Sequence, residues 1–196
     1  MKESGVVLKN YLPAKHKVSI LSDTGDRFDA VAIAPKVISS LRPGYRITYS
    51  LLEGGYFPKL SNVEIILIPR AVCFSNLQFL HQIFTLCVLA IPEGQVAIEV
   101  SNLLKLLSNI STNEWNQARQ RLFICHLLSL LGFYPELSDQ QYDLMKKIHQ
   151  VSNIEVSNFM NINIDNDTES FLTKWISEFV HEHVSPNTTA LFSTVY

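Results

Sequence analysis

The sequence is short of cysteine, and this shortage excludes several kinds of site. Only three cysteines occur in 196 residues, at Cys73, Cys87 and Cys125, each among apolar neighbours and none in a Cys-x-x-Cys pair. A structural zinc site needs about four Cys or His ligands in paired spacing. We therefore expect no metal site and no zinc finger, and buried free thiols in a protein of the reducing cytosol.

Charge and long apolar runs are also scarce. Charged residues make up 17% of the chain and hydrophobic residues 47%, a balance that supports a substantial core and argues against global disorder. No apolar run approaches the roughly 20 residues that a transmembrane helix needs. Met1–Ser4 leads directly into a strand-like run without a signal-peptide pattern. These features predict a cytoplasmic protein that does not associate with a membrane.

No enzyme site is evident in the sequence. The glycine pair Gly54–Gly55 reads as a hairpin turn, so no glycine-rich loop is left to hold a phosphate. His126 lies in an apolar run and is interpreted as a core residue. His181 and His183 are two positions apart, which places them on different sides of a helix. We expect a protein without catalytic activity or cofactor; an enzyme whose site is dispersed along the chain is the least favoured alternative.

The net charge of −2 conceals a difference between the two parts of the chain. Residues 1–70 contain ten Lys or Arg against six Asp or Glu, a balance of +4, whereas residues 71–196 contain six against twelve, a balance of −6. The overall charge argues against a nucleic-acid binder, but the basic first part indicates an anionic partner for that part.

Residues 1–70 are expected to form five short strands. The predicted strands are Gly5–Leu8, Lys17–Leu21, Arg27–Ala34, Tyr45–Leu51 and Lys59–Ile68, with turns at Asp23–Asp26, Pro43–Gly44 and Gly54–Gly55. Gly25 is expected to take positive φ in the first of these turns. Five short strands at regular spacing are typical of a small closed barrel, of which the oligonucleotide-binding (OB) fold is the commonest five-stranded form.

Residues 71–196 are expected to form an all-α domain. Ser75-x-x-Gln78 predicts a capped first helix that ends before Pro92. A second helix is predicted from the apolar residues that share one of its faces, namely Val96, Val100, Leu103, Leu104, Leu107 and Ile110. Asn113 can cap the third helix. Ser138-x-x-Gln141 opens a fourth, residues 150–166 read as a loop or a poorly ordered excursion, and the last helix spans Thr168–His183. The fold class is therefore α+β, with a barrel over 1–70 and helices over 71–196.

The third helix is the most apolar part of the chain. From Leu122 to Leu131 only His126 and Ser129 interrupt the apolar residues, so the helix has no polar face and belongs in the core of a domain. Gly132 is expected to end it in the left-handed conformation, and Pro135 prevents it from continuing.

Several local patterns, in this order along the chain, resemble the RecO family of bacterial DNA repair and recombination mediator proteins. The patterns are G-V-V-L-K at Gly5–Lys9, V-S-I-L-S-D-T-G-D at Val18–Asp26, S-L-R-P-G-Y-R-I-T-Y-S-L-L-E-G-G at Ser40–Gly55, L-S-N-V-E at Leu60–Glu64, and R-L-F-I-C-H-L-L-S-L-L-G-F-Y-P-E-L at Arg121–Leu137. The last is the most specific, because the family carries Arg-x-Phe, leucines and Leu-Gly-Tyr/Phe-x-Pro-x-Leu there.

The resemblance implies a function in DNA recombination, DNA repair and the DNA damage response. It implies binding and annealing of single-stranded DNA, contact with the tail of single-stranded-DNA-binding protein, a RecR-like partner, and a cytoplasmic, nucleoid-associated location. Two departures weaken it. Residues 138–166 contain none of the zinc-finger cysteines found in many members, and the basic stretch after the third strand keeps only Lys36.

The barrel offers cations for phosphates and rings for bases, the two features that single-strand binding needs. The candidate phosphate contacts are Lys9, Lys15, Lys17, Lys36, Arg42, Arg46 and Lys59, and the candidate stacking rings are Tyr11, Tyr45, Tyr49, Tyr56 and Phe57. The alternative interpretation is an ordinary solvated face with tyrosines that pack in the barrel.

Two arginines at the start of the apolar helix form a second candidate site. Arg119 and Arg121, with Phe123 and Leu127 nearby, could give an acidic, phenylalanine-ended tail a cation beside an apolar slot. Surface pairing of the arginines with Glu114 or Glu136 is the alternative. For the whole chain, the alternative to a mediator is a protein-interaction adaptor that has kept the scaffold and lost DNA binding.

Overall fold

Five strands and five helices are described in the computed structural model of this chain. The strands are β1 (Glu3–Asn10), β2 (Lys17–Ser22), β3 (Arg27–Ala32), β4 (Arg46–Leu52) and β5 (Lys59–Leu67). The helices are α1 (Pro35–Ser40), α2 (Leu77–Ala90), α3 (Ile98–Asn109), α4 (Gln117–Leu130) and α5 (Asn166–His183). The residues that the structure describes are 2–11, 17–33, 35–52, 55–69, 76–109, 115–135, 142, 159 and 161–184.

The strands close into a barrel in the order β1-β2-β3-β5-β4. β3 and β5 run parallel, and every other neighbouring pair is antiparallel. This confirms the prediction of a five-stranded N-terminal barrel followed by helices. Side chains alternate between the inside and the outside of the barrel along each strand. Val18 and Ile20 of β2 lie in the core with Ala30 of β3 and Ile47 of β4, and the residues between them point outward.

Helix α1 connects β3 to β4 and was not predicted. The sequence predicts a third strand that extends to Ala34, but β3 ends at Ala32 and a helix begins at Pro35. Proline suits a first helical position because its φ is fixed near the helical value and it has no N–H to leave unpaired. Periodicity does not reveal this helix because six residues are too few for a helical pattern.

Helices α2 and α3 belong to the same compact unit as the barrel. This unit extends to Asn109, whereas the change from strand to helix patterns in the sequence predicts a boundary at residue 70. The buried guanidinium of Arg27 donates to the backbone carbonyl of Ile91, and the Ser101 hydroxyl donates to the carbonyl of Ser22 at 2.9 Å. A bridge between Asp26 and Val96 adds backbone pairing, so the α2–α3 connection is bonded to the barrel.

Gly25 shows how closely this connection approaches the barrel. It takes φ +93°, as expected for the turn, and a Cβ on it would lie 2.5 Å from Ile98 N and 2.7 Å from Ile98 Cα. Gly94 has a similar φ of +81°, but no atom lies within 4 Å of the position that its Cβ would occupy. The two glycines therefore share the conformational requirement and differ in the steric one.

We expect Gly25→Ala to destabilise the first unit by about 2–3 kcal/mol, because left-handed strain and a backbone clash combine. Gly94→Ala, the matched control, should lose only about 1 kcal/mol from strain. Urea unfolding followed by far-ultraviolet circular dichroism measures both. Equal losses in the two variants would contradict the close approach of Ile98 to Gly25.

The second compact unit, residues 110–196, has α4 at its centre. Every residue of α4 from Arg121 to Ser129 is buried, which confirms the prediction of a core helix. Its N-cap is Asn116, whose side chain accepts from the N–H of Arg119 at 2.9 Å. At the other end Gly132 has φ +85°, and the N–H of Phe133 bonds to the carbonyl of Leu128 at 2.9 Å, which completes the expected left-handed cap.

Helix α5 packs against α4 with one apolar face. Its buried residues are Phe171, Leu172, Trp175, Ile176, Phe179 and Val180. Asp165 caps its start by accepting from the N–H of Thr168 at 2.8 Å. Phe159, from the stretch read as a loop or poorly ordered excursion, is fully buried, and its ring lies 6.1 Å from those of Trp115 and Phe123.

The two cysteines within the described residues are buried free thiols, as predicted. Burial raises the pKa of Cys87 to about 12 and the pKa of Cys125 well above its usual range, so both stay protonated near neutral pH. Cys73 lies outside the described residues. Ser75, Asn113, residues 150–158 and, apart from Tyr142, the helix expected from Ser138 also lie outside the described residues. The N-cap of α2 in the structure is Asn76.

Two kinds of feature are absent from the described part of the chain. None of its helices is both long and apolar enough to cross a membrane. No three His, Cys, Asp or Glu side chains of the described residues come together as potential metal ligands.

Candidate nucleic-acid interface

Strand register brings three of the candidate lysines to one end of the barrel. Lys17 at the start of β2 pairs with Val31 of β3, and Val31 pairs with Lys59 at the start of β5. Lys9, near the end of β1, pairs with Ser19 of β2. Lys9 and Lys59 are exposed, whereas the Lys17 side chain is only 16% exposed.

The ring of Tyr11 contacts two of these lysines. It follows β1, and its N–H bonds to the carbonyl of Lys17 at 3.0 Å. The Lys9 Nζ lies 4.8 Å and the Lys17 Nζ 4.6 Å from the centroid of the Tyr11 ring. Both distances are within the range of cation–π attraction.

The β4–β5 loop adds two further rings. The Phe57 ring centroid is 4.9 Å from Lys17 Nζ, and Tyr56 contacts Phe57 edge to face with centroids 4.9 Å apart. The Pro58 carbonyl accepts from the N–H of Val31 at 3.1 Å, which ties the loop to β3. Tyr56 is 94% exposed. We call Lys9, Tyr11, Lys17, Tyr56, Phe57 and Lys59 the barrel-end cluster.

Lys17 is paired with a buried carboxylate. Its Nζ lies 2.5 Å from Asp29 Oδ2, and Asp29 is almost completely buried. The hydrogen bond to Asp29 raises the pKa of Lys17 despite the opposing effect of desolvation. Lys17 is therefore charged and neutralised by Asp29, and its Nζ lies 4.6 Å from the Tyr11 ring centroid and 4.9 Å from the Phe57 ring centroid.

The outer surface of β2 and β3 is open only near this cluster. Lys17, Ser19 and Leu21 alternate outward along β2, yet Ser19 and Leu21 are fully buried. Arg27, beside them on β3, donates to the Ile91 carbonyl and to the Ser19 hydroxyl, the latter at 3.4 Å. The α2–α3 connection thus covers one end of this face and leaves the barrel-end cluster as its accessible part.

Two candidate cations lie on or just after α1. Lys36 is exposed in its first turn, three residues after Ile33. Arg42 is exposed, and its guanidinium donates to the carbonyls of Ser39 at 2.7 Å and Leu41 at 3.1 Å. Asn10, next to Lys9, also donates to the Leu41 carbonyl at 3.0 Å, so the end of α1 is fixed beside the end of β1.

Arg46 lies away from the cluster. Its Nη2 contacts Asp23 at 2.6 and 2.8 Å, and Asp23 belongs to the turn at the far end of β2, roughly 17 Å of strand from Lys17. Asp23 also accepts from the Ser4 hydroxyl. Arg46 therefore anchors β4 to this turn, which corrects its assignment to a common phosphate-binding surface.

Two of the tyrosines contact the barrel core. Tyr49 is completely buried in the barrel core and contacts Phe28 edge to face at 5.9 Å; burial raises the pKa of its phenol. It has no face to offer a base, which corrects its assignment as a stacking ring. Tyr45 is half-buried and packs against the barrel core. Lys15 lies outside the described residues.

The four candidates for partner binding in the second unit do not form an apolar slot. Phe123 and Leu127 are completely buried, which corrects the expectation that they line a surface site. Arg119 donates to the Phe159 carbonyl at 2.6 Å, and desolvation lowers its pKa. Arg121 forms an ion pair with Glu169 of α5, whereas Glu114 and Glu136, the partners considered from the sequence, lie outside the described residues.

Arg121 borders an open cleft. The cleft measures about 600 Å³ and is lined by Arg121, Asn166, Glu169, Ser170, Thr173, Lys174, Ser177 and Glu178.

Sequence reasoning missed three carboxylates that pair with candidate cations, namely Asp23, Asp29 and Glu169. Asp29 faces Ser19 across the strands, one diagonal step from Lys17, a relation that only the register defines. The alternation of inward and outward residues along β3 was the sequence pattern that could have shown that Asp29 faces outward.

A scan of the sequence against protein-family models gives no match, and a search of the curated proteins gives none either.

Proposed function

We propose that this chain binds single-stranded DNA through the barrel-end cluster, as a RecO-like mediator in DNA repair and recombination. The observation that carries the proposal is the arrangement of Tyr11, Phe57 and the exposed Tyr56 around Lys17, with Lys9 and Lys59 exposed beside them. Aromatic platforms beside mobile cations are the general means of binding single strands without sequence preference.

The architecture supports the assignment of the barrel to the OB-fold. Its strand order, its parallel β3–β5 closure and a helix between β3 and β4 agree with that fold. OB-folds bind oligonucleotides on the β2–β3 face and on the β1–β2 and β4–β5 loops. Tyr11 borders the first of these loops here, and Tyr56 and Phe57 belong to the second.

Each residue of the cluster has a separate role in this proposal. Tyr11 and Tyr56 stack on bases, and Lys17 with Asp29 holds Tyr11 and Phe57 in place. Lys9 and Lys59 contact phosphates. Because Lys9 is exposed, its ammonium can leave the Tyr11 ring for a phosphate when a base takes its place.

The test is fluorescence anisotropy with a labelled oligothymidine of about thirty bases, at low and at higher salt. We expect micromolar or tighter binding that weakens steeply as salt rises, because phosphate contacts release counterions. Lys9→Glu with Lys59→Glu should weaken binding by about tenfold at low salt and flatten the salt dependence, since each lost contact on a single strand removes about 0.7 from the logarithmic slope.

The matched control carries the same charge change elsewhere in the first unit. Lys2→Glu with Lys105→Glu alters one lysine beside Glu64 and one on α3, and this variant should keep most of the affinity. An absence of wild-type binding even at low salt would refute DNA binding. Equal losses in both double variants would instead assign the binding to net charge rather than to the cluster.

A protein-interaction adaptor is the second candidate, and two observations favour it. Asp29 neutralises Lys17, and the α2–α3 connection covers part of the β2–β3 face. Both reduce the positive surface that a strand would meet. Failure of the anisotropy test would leave the adaptor as the better account.

The partners implied by the resemblance remain part of the proposal. They are the tail of single-stranded-DNA-binding protein and a RecR-like protein, in a nucleoid-associated cytoplasmic location. An acidic tail at Arg121 would have to compete with Glu169 for the guanidinium. The second unit would therefore use its surface side chains, rather than Phe123 and Leu127, to bind a tail.

A further inference from the structure

A second cleft lies in the helical unit where the chain leaves α4. It measures about 420 Å³, and its lining includes Phe133, Tyr134, Trp175, Phe179 and His183 together with two glutamates. Gly132 to Pro135 form one side of it. These residues belong to the motif that carries the most specific resemblance, and the proposed function of the barrel makes no use of them.

The aromatic walls of the cleft are fixed by mutual contact. The Phe133 ring lies 4.8 Å from Phe179 and 5.0 Å from His183, and Phe179 lies 5.2 Å from His183. The left-handed conformation of Gly132 turns Phe133 back toward α5. Trp175 is almost completely buried at the inner part of the site, whereas Tyr134 is 56% exposed at its edge.

The two glutamates stand on the same face of α5 as these rings. Glu178 and Glu182 are four positions apart, and Trp175 and Phe179 occupy the neighbouring positions of that face. Glu178 Oε1 is 3.5 Å from Lys174 Nζ, but both side chains are well exposed, so this surface pair holds the carboxylate weakly. Glu182 Oε2 is 3.6 Å from His183 Nε2.

We propose that this cleft binds the guanidinium group of an arginine from a basic segment of a protein partner. Carboxylates beside an exposed aromatic ring attract organic cations, because the ring, here Tyr134, has negative faces and the glutamates supply full charges. Arginine fits better than lysine, since its planar group stacks on rings and forks onto carboxylates. Charge complementarity therefore selects a basic peptide, whereas the acidic tail expected from the resemblance would be repelled here.

The proposal is independent of DNA binding by the barrel, and a short peptide tests it. The full chain is titrated with Gly-Arg-Gly-Arg-Gly and with the same peptide carrying citrulline for arginine, a neutral near-isostere. Trp175 lines the cleft, so its fluorescence reports occupancy, and calorimetry gives the affinity. We expect the arginine peptide to bind at least about tenfold more tightly than the citrulline peptide.

Variants of the cleft residues distinguish binding in this cleft from a general effect of negative charge. Glu178→Gln with Glu182→Gln should weaken arginine-peptide binding by about tenfold, and Tyr134→Ala should weaken it several-fold. Asp167→Asn, an equal charge change in the exposed first turn of α5, is the matched control for each glutamate and should leave the affinity unchanged. Equal affinity for the two peptides, or a double variant that binds as well as the wild type, would overturn the proposal.

Discussion

Phe123→Ala is expected to lower the free energy of unfolding of the helical unit by about 3–5 kcal/mol, the usual loss for a phenylalanine removed from a core. Phe123 is completely buried on α4. Its ring contacts Trp115 edge to face at 5.5 Å and Phe159 at 6.1 Å, so truncation removes both contacts and leaves a cavity between three segments of the chain. The loss is a large part of the stability of a typical domain.

Tryptophan fluorescence during urea unfolding measures this effect selectively. Both tryptophans of the chain, Trp115 and Trp175, lie in the second unit, and Trp115 is next to the substituted ring. Leu89→Ala, which removes a side chain that is 58% exposed on α2, is the surface control and should change the tryptophan transition little. A loss below about 1 kcal/mol for Phe123→Ala would contradict the packing of Phe159 into this core.

The barrel strands and the long helices could be predicted because each obeys a local rule. Strand β2 alternates so that Val18 and Ile20 enter the core, and α4 is apolar on every side because every side is covered. The two predicted left-handed glycines, Gly25 and Gly132, have φ of +93° and +85°. In these elements the neighbouring residues alone decide the conformation.

The candidate site was less predictable because it depends on register and burial. Tyr11 and Tyr49 look alike in the sequence, yet one borders a loop and the other is completely enclosed. Arg46 and Lys17 were both expected to face phosphates, but Asp23 and Asp29 neutralise them. Each pairing joins residues of different strands or turns, and no local pattern encodes it.

The boundary between the two units was also not predictable, because it depends on contacts between residues that are distant in the sequence. Composition changes at residue 70, where strands give way to helices, but a compact unit is defined by contacts. Gly25 and Arg27 of the barrel bond to the backbone of residues 91–97, so α2 and α3 fold with the strands. This matters for function, because the connection that joins them covers part of the β2–β3 face.

Tyr11→Ala with Tyr56→Ala is expected to weaken binding of single-stranded DNA by about 30-fold or more. A base stacked on a ring contributes roughly 1–3 kcal/mol, so two lost stacks correspond to at least about 2 kcal/mol. Tyr56 is 94% exposed and Tyr11 sits beside Lys9 and Lys17, so both can meet bases without opening the barrel. The salt dependence should stay as in the wild type, because no phosphate contact is lost.

The salt dependence of the variants distinguishes base stacking from phosphate contacts in the barrel-end cluster. The lysine variants should flatten the salt dependence, whereas the tyrosine variant should shift the affinity equally at every salt concentration. Tyr134→Ala with Tyr142→Ala removes two rings of similar exposure, 56% and 60%, from the second unit and should bind DNA as the wild type does. If both tyrosine variants behave alike while the wild type binds, the rings of the barrel-end cluster are not stacking platforms. Phosphate contacts alone would then account for the binding, and discrimination between single-stranded and duplex DNA should be weak.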